Sequence, residues 1–214
     1  MSKLASLTQA QIDLYRLANP ALNKAAFDTL INSIVEQARG NFVRYDTLGA
    51  PVVADVDRIV TVVDMADGAQ ALAAQPDVPR NLTVALVDAN ASVTTGTLTI
   101  VGLDFEGNVI TEVVDIPTSI GATVLTKIFV RVTSATISGL AGEAAGDTIT
   151  IGVGNVIGLP NPIVATTAVK HVNLGGVPVT SPTIATGQST SGVDASGATY
   201  NGSKVLTVVS FAGE

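Results

Sequence analysis

Beyond about residue 45 the apolar residues of this chain recur at every second position in short runs, and the three- and four-residue spacing of a helix does not return. Each run is bounded by Gly, Pro, Asn or Ser, and most are rich in Val, Ile and Thr. "NLTVALVDANASVTTGTLTIVG" predicts a strand at residues 82–87, a turn at 88–92 and a strand at 93–102. "DFEGN", residues 104–108, then turns the chain into a strand at 109–116, so that "TGTLTIVGLDFEGNVITEVVDI" reads as a β-hairpin. Gly107 and Asn108 are expected to supply the positive φ angles of its turn. Along the second strand Ile110, Val114 and Ile116 share one face, with Glu112 as the exception. Further runs fall at 122–132, 148–153, 168–174 and 204–211. Many short strands without intervening helices predict a mainly β chain with an antiparallel β-sandwich-like body.

The first 45 residues follow another rule. In "TQAQIDLYRLANPALNKAAFDTLINSIVEQARGNF", Ile12, Leu14, Tyr15 and Leu17 precede Asn19-Pro20, and Leu22, Phe27, Leu30, Ile31, Ile34 and Val35 recur at helical spacing. Thr8 and Gln11 have the spacing of a capping box, Pro20 suits a first turn and Gly40 a stop, so two helices are expected, the second over 20–39. Their apolar stripe packs either on the chain's own sheet or on a neighbouring subunit. Asp13 and Arg16 interrupt what a signal peptide would need, and no 18-residue apolar run follows. A soluble protein made inside the cell, with no membrane partner, is expected. The domain organisation read from these patterns is an N-terminal helical region (1–45), a β-sandwich-like body (46–160) and a C-terminal β and loop extension of that body (161–214). "GLPNPI", residues 158–163, reads as a joint, and residues 175–203 as a long surface excursion, either a flexible loop or an arm ordered by a neighbour.

Composition narrows the function classes. Cysteine is absent, which removes disulfides and thiolate metal sites. The net charge is -7 and the 11 Lys and Arg are scattered from Lys3 to Lys204, against a nucleic-acid surface. Hydrophobic residues make up 47% and charged residues only 14%, where about 25% charged is usual. Either a core rich in Val, Ile and Ala or extensive burial between subunits produces that balance.

Residues able to carry chemistry are few. His171 is the sole histidine, and no Gly-x-Ser-x-Gly elbow presents a nucleophile to it. HExxH, EF-hand, Walker A and GxGxxG patterns are absent. Asp88, Asn90 and Ser92 are spaced like the start of a calcium loop but lack its later glycine and glutamate, and read as a turn. Asp55, Asp57 and Asp64 flank a Val/Ile-rich strand as solvating groups. Asp104 and Glu106 are the pair that a catalytic reading of the hairpin turn would need. Arg80, between prolines and a strand start, reads as a salt-bridged anchor for the hairpin. Sugar-handling sites favour flat aromatic faces, and the chain has no Trp and three Tyr. The expectation is a protein without catalytic residues, cofactor or metal, and not an enzyme.

The proline-arginine lead-in of "QPDVPRN", the Thr/Val hairpin, the G-x-x-x-x-G-N turn from Gly102 to Asn108, Thr111-Glu112 and the later "GLPNP" resemble small β-rich virion proteins of tailed bacteriophages. Within that group the size is most similar to head decoration or cement proteins. The resemblance implies assembly in the host cytoplasm into the virion, contact with a major capsid protein or with copies of itself, and a homo-oligomer, with a trimer expected. A tail or baseplate component, and a secreted carbohydrate-binding or adhesin module, are the alternatives.

Overall fold

The computed structural model describes residues 42–195 and 197–212; the two expected N-terminal helices lie outside them. Among the described residues the chain forms fourteen strands: β1 (Phe42–Thr47), β2 (Asp55–Asp64), β3 (Gly68–Ala69), β4 (Arg80–Val87), β5 (Thr95–Leu103), β6 (Val109–Asp115), β7 (Gly121–Phe129), β8 (Arg131–Ala141), β9 (Thr148–Gly158), β10 (Val169–Leu174), β11 (Val177–Pro178), β12 (Thr183–Ala185), β13 (Gly192–Asp194) and β14 (Leu206–Ala212). All the strand pairs are antiparallel. The body is mainly β, as its periodicity predicts. The change of period near residue 45 falls inside β1.

Three sheets form. The main sheet has the order β12-β13-β9-β4-β7, with β2 also paired to β9; a facing sheet runs β3-β8-β5-β6; a third runs β1-β14-β10-β11. The main and facing sheets sandwich one core. Leu82, Val84 and Leu86 of β4 and Ile149, Ile151 and Val153 of β9 meet Leu98, Ile100, Val114, Ala135 and Ile137 from the facing sheet. The third sheet closes a second core. Leu206 and Val208 of β14 and Val172 and Leu174 of β10 pack with Ile157, Leu159, Val193, Tyr200 and Leu48. β9 thus serves both cores, which is why it extends to Gly158, beyond the expected end at 153.

The hairpin is present, with one correction at its turn. β5 and β6 pair from Thr97↔Asp115 to Leu103↔Val109, so the first strand begins at Thr95 and Val93 packs against the core from outside it. Only Gly107 of the expected two residues has a positive φ, at 80°. Asp104 N donates to Asn108 O (3.1 Å) and Gly107 N to Asp104 O (3.2 Å), leaving a three-residue loop that needs a single left-handed residue. The Asp104 Oδ1 accepts from Glu106 N and Asn108 N at 3.0 and 2.8 Å, so Asn108 has no need of the left-handed region.

The run at 122–132 is two strands. The chain leaves the main sheet after Phe129, bends at Val130 and enters the facing sheet as β8, with Phe129 and Val132 buried on either side of the corner. Residues 158–163 are packed instead of forming an open joint: Leu159 and Ile163 are buried, and their amides donate to Ser191 O and Ser191 Oγ, each at 2.9 Å. Nor is 175–203 one long surface excursion. It contributes β11, β12 and β13, and buries Ser191, Val193 and Tyr200.

Candidate interaction surface

Arg80 and Asn81 open β4 where the registers on both sides slip. Between Arg80 and Leu82 the partner on β9 moves from Ile157 to Val153, and between Asn81 and Thr83 the partner on β7 moves from Ile128 to Val124. Extra residues therefore face Asn81 from both neighbours, and its amide replaces the interrupted ladder. Asn81 Nδ2 donates to Leu125 O (3.0 Å) and Oδ1 accepts from Val156 N (2.9 Å). The same bulge on β7 is held from the facing sheet, where Glu112 Oε1 accepts from Thr126 N (2.8 Å) and Lys127 N (3.2 Å). That contact accounts for the acid on the apolar face of β6.

Arg80 is wholly buried. Its Nε donates to Gly154 O at 2.7 Å, another guanidinium nitrogen also donates to Gly154 O, and Nη1 donates to Val52 O (3.2 Å) and pairs with Asp77 Oδ1 (2.9 Å). Asp77 Oδ2 accepts from Val52 N at 2.8 Å. Burial pushes the Asp77 carboxyl up, but the Val52 amide and the Arg80 cation together outweigh it and hold it below the usual carboxylate range. Arg80 is salt-bridged as expected. It anchors β4 to β9 and to the chain before β2, however, and does not anchor the hairpin. The Arg80 and Asp77 side chains are engaged by Gly154, Val52 and each other, so the chemistry of this pair is structural.

The other candidate residues stand apart from one another. His171 is exposed on β10. Asp88 closes a turn, its oxygens accepting from Ser92 N (3.1 Å) and Val93 N (3.0 Å). Desolvation raises its carboxyl, and the backbone amides of Val93, Ser92, Asn90 and Ala91 more than offset this, leaving it lowered. Asp55 and Asp64 form the two ends of β2 and Asp57 lies within it. A hydrogen bond with Asp55 raises Asp57, with desolvation and the Asp55 charge adding to it. No three His, Asp or Glu side chains among the described residues gather where they could hold a metal ion. Among those residues no helix is long and apolar enough to cross a membrane.

What the surface does present is apolar strand faces. Val56 and Val62 on β2 are 65% and 63% exposed, and Val109 and Val113 on β6 are 70% and 64% exposed. These strands are rims of opposite sheets. A third set lies on β1, where the usual polarity is reversed. Val43 and Tyr45 stand outward at 50% and 67% exposure, while Arg44 and Asp46 are half-buried and pair with the buried Ser210 and Val208 of β14. Burial pushes the Asp46 carboxyl up against the opposing effect of Arg44. Register places Phe211 beside Val43 and Val209 beside Tyr45 on the same outward face. A bulge between Val169 and His171 adds Lys170 to this face, with its Nζ 4.9 Å from the centre of the Phe211 ring.

Comparison with protein-family models, with curated proteins and with solved structures finds no match to this chain.

Proposed function

We propose that the chain is a structural protein of a tailed-bacteriophage virion, a capsid decoration or cement protein that bridges capsomers through contacts with the major capsid protein and with its own copies in a trimer. The observation that carries this reading is the exposure of Val56, Val62, Val109 and Val113 on strands at the rims of a sandwich, the first two where β2 slips register against β9. Side chains fixed by a sheet lose little freedom on docking, and burying a valine contributes about 1.5 kcal/mol. A few such contacts per site are weak. Repeated around a closed shell, they stabilise the assembly far more than any single contact does.

The experiment mixes the full chain with empty capsids, measures co-sedimentation, and follows capsid disruption on heating. Co-sedimentation with a raised disruption temperature supports the reading, and so does a trimer in light scattering. A monomer that leaves capsids unchanged overturns it. Association with tail tubes instead would move the protein to the tail, and release of products from capsule or peptidoglycan would replace a structural role by an enzymatic one.

A further inference from the structure

We propose that Asn201-Gly202 is a site of spontaneous deamidation that the fold holds shut through the carbonyl of Pro51, and that its conversion to isoaspartate unfastens the entry to β14. The proposal is independent of the role suggested above. Asn201-Gly202 is the sole Asn-Gly pair in the sequence. A glycine after asparagine has no Cβ to shield its backbone nitrogen, which leaves that nitrogen free to attack the side-chain amide. The Gly202 nitrogen gives up its proton and bonds to Asn201 Cγ, the Cγ–Nδ2 bond breaks, and ammonia leaves carrying a proton in exchange. Water then opens the cyclic imide. Opening at Cγ gives aspartate, and opening at the main-chain carbonyl gives isoaspartate. Solvent is the only other reactant.

Asn201 is exposed, on the turn that delivers the chain into β14. The turn occupies both reacting groups. Gly202 N donates to the carbonyl of the buried Pro51 at 2.9 Å, so the proton that the nitrogen must lose is held. Asn201 Oδ1 accepts from Ser203 N and Lys204 N, each at 3.0 Å, which fixes the amide under attack. Gly202 has a φ of 72°, and a Cβ on it would lie 3.1 Å from Val52 Cγ1, so the residue this turn favours is also the one that leaves Asn201 reactive. The latch lies beside a longer seam. Leu48 N donates to Leu206 O and Leu206 N to Gly49 O, each at 2.8 Å, joining the chain before β2 to the start of β14 and its second core. Isoaspartate adds a carbon to the main chain and takes the side-chain acceptor away from Ser203 and Lys204. Gly202 then no longer meets Pro51 in register. Aspartate keeps the backbone length and an acceptor, and leaves the turn closed.

The full chain is incubated in mildly alkaline buffer, folded and in urea, with conversion at Asn201 followed by peptide mass spectrometry and isoaspartate by enzymatic methylation. In urea Asn201 should convert ahead of every other asparagine, and in the folded chain at least about tenfold more slowly, because only the locally opened fraction reacts. An Asn201 that stays intact in urea would overturn the site, and equal rates would overturn the latch. Pro51→Gly loosens the segment that presents the carbonyl. It should convert several-fold faster than wild type while still melting cooperatively, and a folded variant with the wild-type rate would show that Pro51 is not the gate. Hydrogen exchange at the Gly202 amide makes the same test without a substitution: its protection should match the ratio of the two conversion rates, and an unprotected amide would overturn the latch. After refolding, the isoaspartate form should melt lower than wild type and Asn201→Asp should not. Equal melting of all three would show that the modification leaves the entry to β14 fastened.

Discussion

Arg80 donates two hydrogen bonds from its buried guanidinium to the single carbonyl oxygen of Gly154. The two residues stand on adjacent strands where the register slips, so the side chain supplies donors that the ladder itself lacks. Gly154 is required by the same packing, because a Cβ there would lie 2.4 Å from Asn81 Oδ1.

Asp77→Ala leaves the Arg80 cation buried without its carboxylate, and should destabilise the protein by about 3 kcal/mol in urea unfolding. Adding Arg80→Met should cost less than the sum of the single changes, and additivity would show that the pair is uncoupled. Because Asp77 is lowered in the folded protein, its contribution is present above the unfolded value of about 4 and is lost as pH falls through the lower folded value. Asp77→Asn should therefore reduce the acid sensitivity of stability below about pH 4, read from melting temperatures.

Asn81→Ala strands Leu125 O and Val156 N inside the sheet. A loss of about 2–3 kcal/mol is expected. Asn81→Asp keeps the acceptor for Val156 N but turns an oxygen toward Leu125 O, and should also destabilise. Wild-type stability in both variants would show that water completes the two slipped registers without the amide.

Tyr200 OH donates to Asn155 O (3.2 Å) and accepts from Ala195 N (2.8 Å) in the second core. Burial pushes its hydroxyl up to about 12, with the Asp194 charge adding and the Ala195 amide and Arg80 opposing. An unfolded tyrosine ionises near 10, so the folded state holds the extra proton between these values. Stability is then full below about pH 10 and declines from 10 to 12. Tyr200→Phe should melt lower at neutral pH and lose this alkaline decline; an identical alkaline profile would exclude Tyr200 as its source.

Gly107→Val places a β-branched side chain at a φ of 80° with no atom in its way, so the cost is backbone strain alone. About 1–2 kcal/mol is expected, with a lower melting temperature. Glu106→Gln should be silent, since Glu106 is exposed and it is its backbone amide that bonds Asp104. A stable Gly107→Val beside a Glu106→Gln that loses capsid binding would give the turn a functional role.

The sandwich was legible where one face is buried without interruption. Leu82, Val84 and Leu86 alternate cleanly, and β4 forms where that alternation puts it. β8 was missed because its register slips against β5 between Val101 and Gly102, so its inward residues are Val132, Ala135 and Ile137, with no strict period of two. Strands as short as β11 to β13 carry no period at all, and residues 175–203 are ordered by distant partners such as Ile157 and Leu159. The junction at Arg80 showed as a charged residue at a strand start. Its contact with Gly154 came from the bulge on β9, which composition does not announce. The reversed polarity of β1 was hidden by the placement of residues up to 45 in the helical region.

β9 enters the first core at Ile149 and leaves in the second at Ile157, with Arg80 gripping it at Gly154 between them. The two cores are therefore linked in series along one strand, and a load pulling that strand lengthwise must shear several hydrogen bonds together before either core opens. Tension applied at the two ends of such a strand would pass through it as through a tie rod, without a hinge.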